Sequence, residues 1–74
     1  MATRQTHGPA VRAIREALGI RHSDFAVKCH ISPGYLSNIE AGRKQPSPEV
    51  TRAIADQLGV TLDTITYALP EVAA

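Results

Sequence analysis

Residues 25–47 read FAVKCHISPGYLSNIEAGRKQPS, and the punctuation inside this stretch decides the fold. Ser32 is a good N-cap, and Pro33 suits a first helical turn because its missing N–H would be unpaired there anyway. Gly34 is a weak helix former, but Tyr35 to Glu40 continues the helix to Ala41, with Gly42 in the left-handed position beyond it. On a helical wheel Leu36 and Ile39 join Ile31 as the inward side. Pro33, Gly34, Ser37, Asn38 and Ala41 fall together on the opposite side. A solvated face ordinarily carries Lys and Glu; this one is small and nearly uncharged, shaped for close approach to something.

The rest of the chain is punctuated in the same way. A first helix starts near Pro9, runs to Leu18 with Val11, Ile14 and Leu18 on one stripe, and stops at Gly19. A second spans about His22 to Cys29, with Phe25 and Ala26 inward. After the polar turn GRKQPS, Ser47-Pro48-Glu49 opens a fourth helix whose stripe is Val50, Ile54 and Leu58, ended by Gly59. Thr61 caps a fifth, expected from Leu62 to about Ala68 and stopped by Pro70. Three helix starts place an apolar residue five positions before another: Ile20 with Phe25, Ile31 with Leu36, Val60 with Ile65. This hydrophobic staple fixes the angle of chain entry. Strand-like alternation is absent from the sequence. The expectation is an all-α, compact five-helix domain over residues 9–69, with a flexible N-terminal arm over 1–8 and a C-terminal tail over 70–74.

Composition narrows the function. Seventy-four residues form one small domain with a modest core. The single cysteine, Cys29, excludes an internal disulfide and suits a reducing, cytoplasmic setting. No apolar run approaches a membrane span, and MATRQTHGPA lacks the apolar centre of a signal peptide. The formal net charge of +1 is unevenly spread. Arg4, Arg12, Arg15, Arg21, Lys28, Arg43 and Lys44 outweigh the acids before residue 47. Beyond it Glu49, Asp56, Asp63 and Glu71 face Arg52 alone. A basic front suits an anionic partner, and the acidic end leaves room for a protein partner. No nucleophile–base pair, paired carboxylates or phosphate-cradling glycine loop is visible, so no enzyme is expected. His22, Cys29 and His30 do not make a metal site, because adjacent Cys29 and His30 cannot easily share a tetrahedral centre with a residue so far upstream. No metal or cofactor is expected, and Cys29 reads as inert packing.

Two helices over 22–29 and 32–41, joined by the tight turn His30-Ile31, have the helix-turn-helix layout. In that layout the second helix enters the DNA major groove N-terminus first. The chain resembles the Xre/Cro-like, lambda-repressor-like helix-turn-helix family through IREALGI (14–20), the opening stretch, and IADQLGVTLDTI (54–65). The likeness covers roughly residues 9 to 68, and YLSNIEAGRKQPS is its most specific part.

The resemblance implies roles residue by residue. Pro33, Gly34, Ser37 and Asn38 occupy positions where family members touch base edges, and Asn38 is the strongest reader because an amide can bond adenine N6 and N7 together. Arg21, His22, Ser32, Tyr35, Arg43 and Lys44 are phosphate candidates, supported by backbone N–H groups at the helix starts. Arg15 and Glu40 match a structural ion pair joining the first helix to the third. Three positions depart from the family pattern. Arg21 stands where a Thr or Ser cap is usual. His30 replaces a turn glycine and must itself become left-handed. Pro33-Gly34 replaces the polar pair many repressors use on bases.

The function implied is a sequence-specific DNA-binding transcriptional regulator, a homodimer on a pseudo-palindromic operator. Tyr67, Leu69 and Val72 are candidates for the dimer interface. An antitoxin of a toxin–antitoxin pair, or a protein-interaction module of the same fold, are the alternatives.

Overall fold

Each long helix begins where a side chain takes over an orphan backbone N–H. The structure, a computed structural model, describes residues 4–68. In it the chain runs β1 (Arg4–Thr6), α1 (Gly8–Ala17), α2 (His22–Lys28), α3 (Pro33–Glu40), α4 (Pro48–Leu58), α5 (Leu62–Ile65) and β2 (Thr66–Ala68). Ser32 Oγ accepts from the Tyr35 N–H at 3.0 Å and Ser47 Oγ from the Val50 N–H at 3.3 Å, as their cap positions predict. His7, not singled out in the sequence, caps α1 by accepting from the Ala10 N–H on Nδ1 at 3.0 Å. Arg21 and Thr61 hold the cap positions of α2 and α5 without a capping side-chain bond.

The helix ends follow glycine geometry even where glycine is missing. His30 takes φ 61° after α2, in the left-handed region. Ile31 N–H then reaches back to the Ala26 carbonyl and His30 N–H to that of Val27, both at 3.0 Å. That is the Schellman closure, built here on a histidine. Its helix-turn-helix turn is therefore formed by backbone bonds, not by the residue usual at that place.

Five helices enclose one core. Val11, Phe25, Leu36, Ile39, Ile54 and Ile65 are fully buried, with Ala26, Cys29, Ala55 and Leu58 beside them. Ile20, Ile31 and Val60, the outer members of the three staples, pack against this cluster. Burial pushes the Cys29 thiol up to about 11, consistent with an inert packing residue. The five-helix reading thus stands, with one addition and one truncation, and its core stands except at Leu18, which is exposed at the end of α1.

The addition is a two-stranded antiparallel sheet, β1 against β2, pairing Arg4 with Ala68, Gln5 with Tyr67 and Thr6 with Thr66. The flexible arm expected over residues 1–8 is instead, over its described part, a strand followed by the first helical residue. Its outer edge is held by Gln45, whose Oε1 accepts from the Thr6 N–H at 3.0 Å and whose Nε2 donates to the Thr6 carbonyl at 3.3 Å. The Thr6 hydroxyl, buried, meets that of Thr51 at 2.9 Å. Arg4 donates to Thr66 Oγ1 at 2.9 Å and pairs with Asp63 at 3.2 Å. The truncation follows from the same pairing: α5 stops at Ile65 and the chain turns extended at Thr66, with φ −129° and ψ 161°. Thr64, Ile65, Thr66 and Tyr67 are β-branched or aromatic, residues that favour a strand once a partner is present. The expected tail over 70–74 lies outside the described residues.

Gly8 has the most constrained environment of any glycine in the fold. It is buried on α1, and a Cβ there would overlap the Ile39 carbonyl oxygen at the end of α3. Gly to Ala in a helix normally gains about 1 kcal/mol. At Gly8 the same change is expected to cost about 1–3 kcal/mol, because backbone must move to admit the methyl group. Denaturant unfolding checks this; a Gly8→Ala midpoint at or above the parent's would contradict the close α1–α3 contact.

Candidate nucleic-acid interface

The orientation of α3 is set from inside. Arg15 on α1 makes a two-pronged contact with Glu40 at the end of α3, Nε to Oε2 at 2.8 Å and Nη2 to Oε1 at 3.2 Å. Its remaining Nη1 donates to the Ile20 carbonyl at 2.9 Å, so one guanidinium ties α1, α3 and the α1–α2 turn. The two side chains are only 10% and 6% exposed. This is the structural ion pair that the family resemblance implies. It keeps Glu40 away from the solvent face.

With Leu36, Ile39 and Glu40 buried, the opposite face of α3 is left outward. Pro33, Gly34 and Ser37 are exposed on it and Asn38 is half-buried. Nothing lies within 4 Å of where a Cβ on Gly34 would stand. Among the described residues, nothing therefore requires a glycine at that position. The side chains around this face are mutually engaged. His22, at the start of α2, places Nε2 3.1 Å from Ser37 Oγ. Arg43, just beyond α3, donates from Nε to Asn38 Oδ1 at 3.1 Å. Neither contact follows from helical spacing, since each comes from a different element, and the sequence reading did not foresee them.

The remaining candidates divide by what already occupies them. Ser32 Oγ accepts at the α3 cap, which leaves its O–H and its backbone N–H as the donors it can offer a phosphate. Tyr35 is half-buried with its ring packed on the core. Arg21 and Lys44 are exposed, Arg21 at the start of α2 and Lys44 beside Arg43 in the turn after α3. Of the candidates outside α3, His22 and Arg43 touch its outward face. Tyr67 does not: it lies on β2, 43% exposed, its hydroxyl donating to Gln5 Oε1 at 3.0 Å and its ring edge-on to His7 at 5.9 Å. The other two dimer candidates, Leu69 and Val72, lie outside the described residues. No helix among those described is long and apolar enough to cross a membrane.

A family model described as helix-turn-helix matches residues 11–65. The chain belongs to the Xre/Cro-like helix-turn-helix family. It is 38% identical over 52 residues to the HTH-type transcriptional regulator DdrOP3 of Deinococcus deserti, a match covering 70% of this chain and 40% of that protein. It is 36% identical over 62 residues to the transcriptional regulator ClgR of Mycobacterium tuberculosis, covering 84% of this chain and 55% of that one. Among solved structures it resembles the P22 c2 repressor in complex with synthetic operator 9T, with a TM-score of 0.74 and 27% identity. That match covers 80% of this chain and 89% of the repressor chain. The chain spans only about half the length of the curated relatives named, or less. Both curated relatives are named as regulators of transcription.

Breaking a buried pair strands a charge, whereas removing both partners often does not. Glu40→Gln is accordingly expected to cost about 3 kcal/mol or more, and Arg15→Leu with Glu40→Leu much less. Chemical denaturation of both variants reads this directly. A Glu40→Gln protein within about 1 kcal/mol of the parent would show that the pair does not hold α3.

Proposed function

We propose that this chain is a sequence-specific double-stranded DNA-binding module of a transcriptional regulator, with α3 entering the major groove. The observation that carries the reading is the outward face of α3. It presents a glycine that the fold does not need, and two polar side chains braced by basic residues from outside the helix. A slim helix tip lets backbone come close to the groove, while Ser37 and Asn38 supply the side-chain hydrogen bonds. Pro33 and Gly34 offer none, so part of the selectivity falls to DNA shape. Arg21, His22, Tyr35, Arg43 and Lys44, with the Ser32 backbone, serve as phosphate contacts that set register. The relation to regulators and to an operator-bound repressor supports this.

One such module reads few base pairs. Two copies on a pseudo-palindromic operator, their recognition helices about 34–36 Å apart, would supply the rest. The exposed ring of Tyr67 is one described surface for pairing the copies, although Leu18 and Val27 are more exposed. The setting that fits is cytoplasmic, on the nucleoid when DNA is bound.

Binding to duplex DNA should weaken steeply with salt, log affinity falling in proportion to the number of phosphates neutralised. Gly34→Ala separates the interface from the fold. Its stability should hold or rise by up to about 1 kcal/mol, because the methyl meets open space and improves helix propensity. Its affinity for duplex DNA should fall about tenfold. Fluorescence anisotropy with a labelled duplex, alongside thermal melts, measures both. Absence of binding to any duplex at low salt would overturn the proposed function; unchanged affinity in Gly34→Ala would remove the close approach at the helix tip.

A further inference from the structure

Asn38 is the point on which the end of α3 closes. Gly42, at φ 79°, lets the chain turn back, and the Arg43 and Lys44 N–H groups both donate to the Asn38 carbonyl, at 2.9 and 3.2 Å. In this closure the residue after the left-handed position stands over the residue three before the helix cap, and the two side chains commonly make an apolar contact. Here the contact is polar. Arg43 donates its Nε–H to Asn38 Oδ1 at 3.1 Å. Only the oxygen of the amide can accept that hydrogen; the flipped amide would set donor against donor. The oxygen therefore faces the turn and Nδ2, with both its hydrogens, faces away from Arg43.

We propose that Arg43 is a positioning residue for base reading: it fixes the Asn38 amide so that Asn38 meets the DNA as a hydrogen-bond donor. This rests on the DNA-binding reading and sharpens it. An unheld asparagine can turn either edge to a base and suits adenine through paired donor and acceptor bonds. An amide held by its oxygen selects a base edge with an acceptor, which purine N7, guanine O6 and thymine O4 provide. It rejects cytosine, whose major-groove edge offers only the N4 donor. Among the described residues no partner takes the two Nη groups of Arg43, so the same arginine can touch a phosphate while it holds the amide. Lys44, next along the turn, has no such link to a base-reading side chain and serves as the comparison.

The test uses the full chain and duplexes selected from a random pool, with the position read by Asn38 defined as the one whose preference disappears in Asn38→Ala. The quantity measured is the ratio of affinities for the preferred duplex and for one with cytosine at that position. In the parent protein this ratio should be about tenfold or more. Arg43→Ala, which frees the amide to turn its oxygen to the cytosine N4 donor, should lower it several-fold. Arg43→Lys, which keeps the cation but not the planar Nε–H, should also lower it while retaining affinity for random duplex. Lys44→Ala should weaken both duplexes and leave the ratio as it was. Circular dichroism melts establish that each variant is folded. Three results would overturn the proposal: cytosine preferred at the Asn38 position, no position altered by Asn38→Ala, or an Arg43→Ala ratio equal to that of the parent. Failure to bind any duplex at low salt is a separate outcome, seen before any ratio is taken, and it removes the DNA-binding reading and this inference together.

Discussion

A single buried guanidinium governs how this small domain presents its outer face. Arg15 spends its donors on both oxygens of Glu40 and on the Ile20 carbonyl, so that three segments meet at one planar group. Away from water, such a pair is held by geometry and not by attraction alone, because either charge without the other would carry a large desolvation cost. The neighbouring constraint is steric. Gly8 brings the start of α1 against the Ile39 and Glu40 carbonyls at the end of α3, an approach that no side chain would permit. Charge and sterics thus act on the same end of α3. They turn Glu40 inward and leave a helix face without acidic groups to meet phosphate.

That face depends on its surroundings for chemical definition. Ser37 and Asn38 are short side chains, each with donor and acceptor atoms, and alone they would present them in several arrangements. His22 from α2 and Arg43 from the following turn each occupy one of them. The α2–α3 turn and the turn after α3 therefore help to place the side chains of this face, beyond joining elements. Both are left-handed closures, one on His30 and one on Gly42. The first sets α2 against α3, and the second sets Arg43 over Asn38.

Much of this was legible in the sequence because local rules carried it. Ser32-Pro33, Ser47-Pro48 and the glycines at 19, 42 and 59 mark helix ends by backbone chemistry confined to a few residues. The staples and apolar stripes named most of the core, since 3.6-residue periodicity is a local signal, but Leu18 of the α1 stripe is exposed. The Arg15–Glu40 pair came from family resemblance, as no spacing rule links residues so far apart. Distance also explains what escaped. Arg4–Thr6 is too short for an alternating pattern, and its partner lies at the other end of the described chain. Its support comes from Gln45 and Thr51, side chains that give no sign of this role in the sequence. The shortened α5 is the same omission seen from the other strand. The contacts of His22 and Arg43 with α3 escaped for a related reason: they depend on how one element lies against the next.

The central claim is that the outward face of α3, with its two braced side chains, is the surface that meets DNA. Amide and side-chain NMR signals followed during titration with duplex DNA map that surface directly. The account predicts that shifts concentrate at Gly34, Ser37 and Asn38, with His22, Arg43 and Lys44 beside them, while β1, β2 and α5 change little. Shifts centred on the β1–β2 sheet or on α5, with α3 undisturbed, would contradict it.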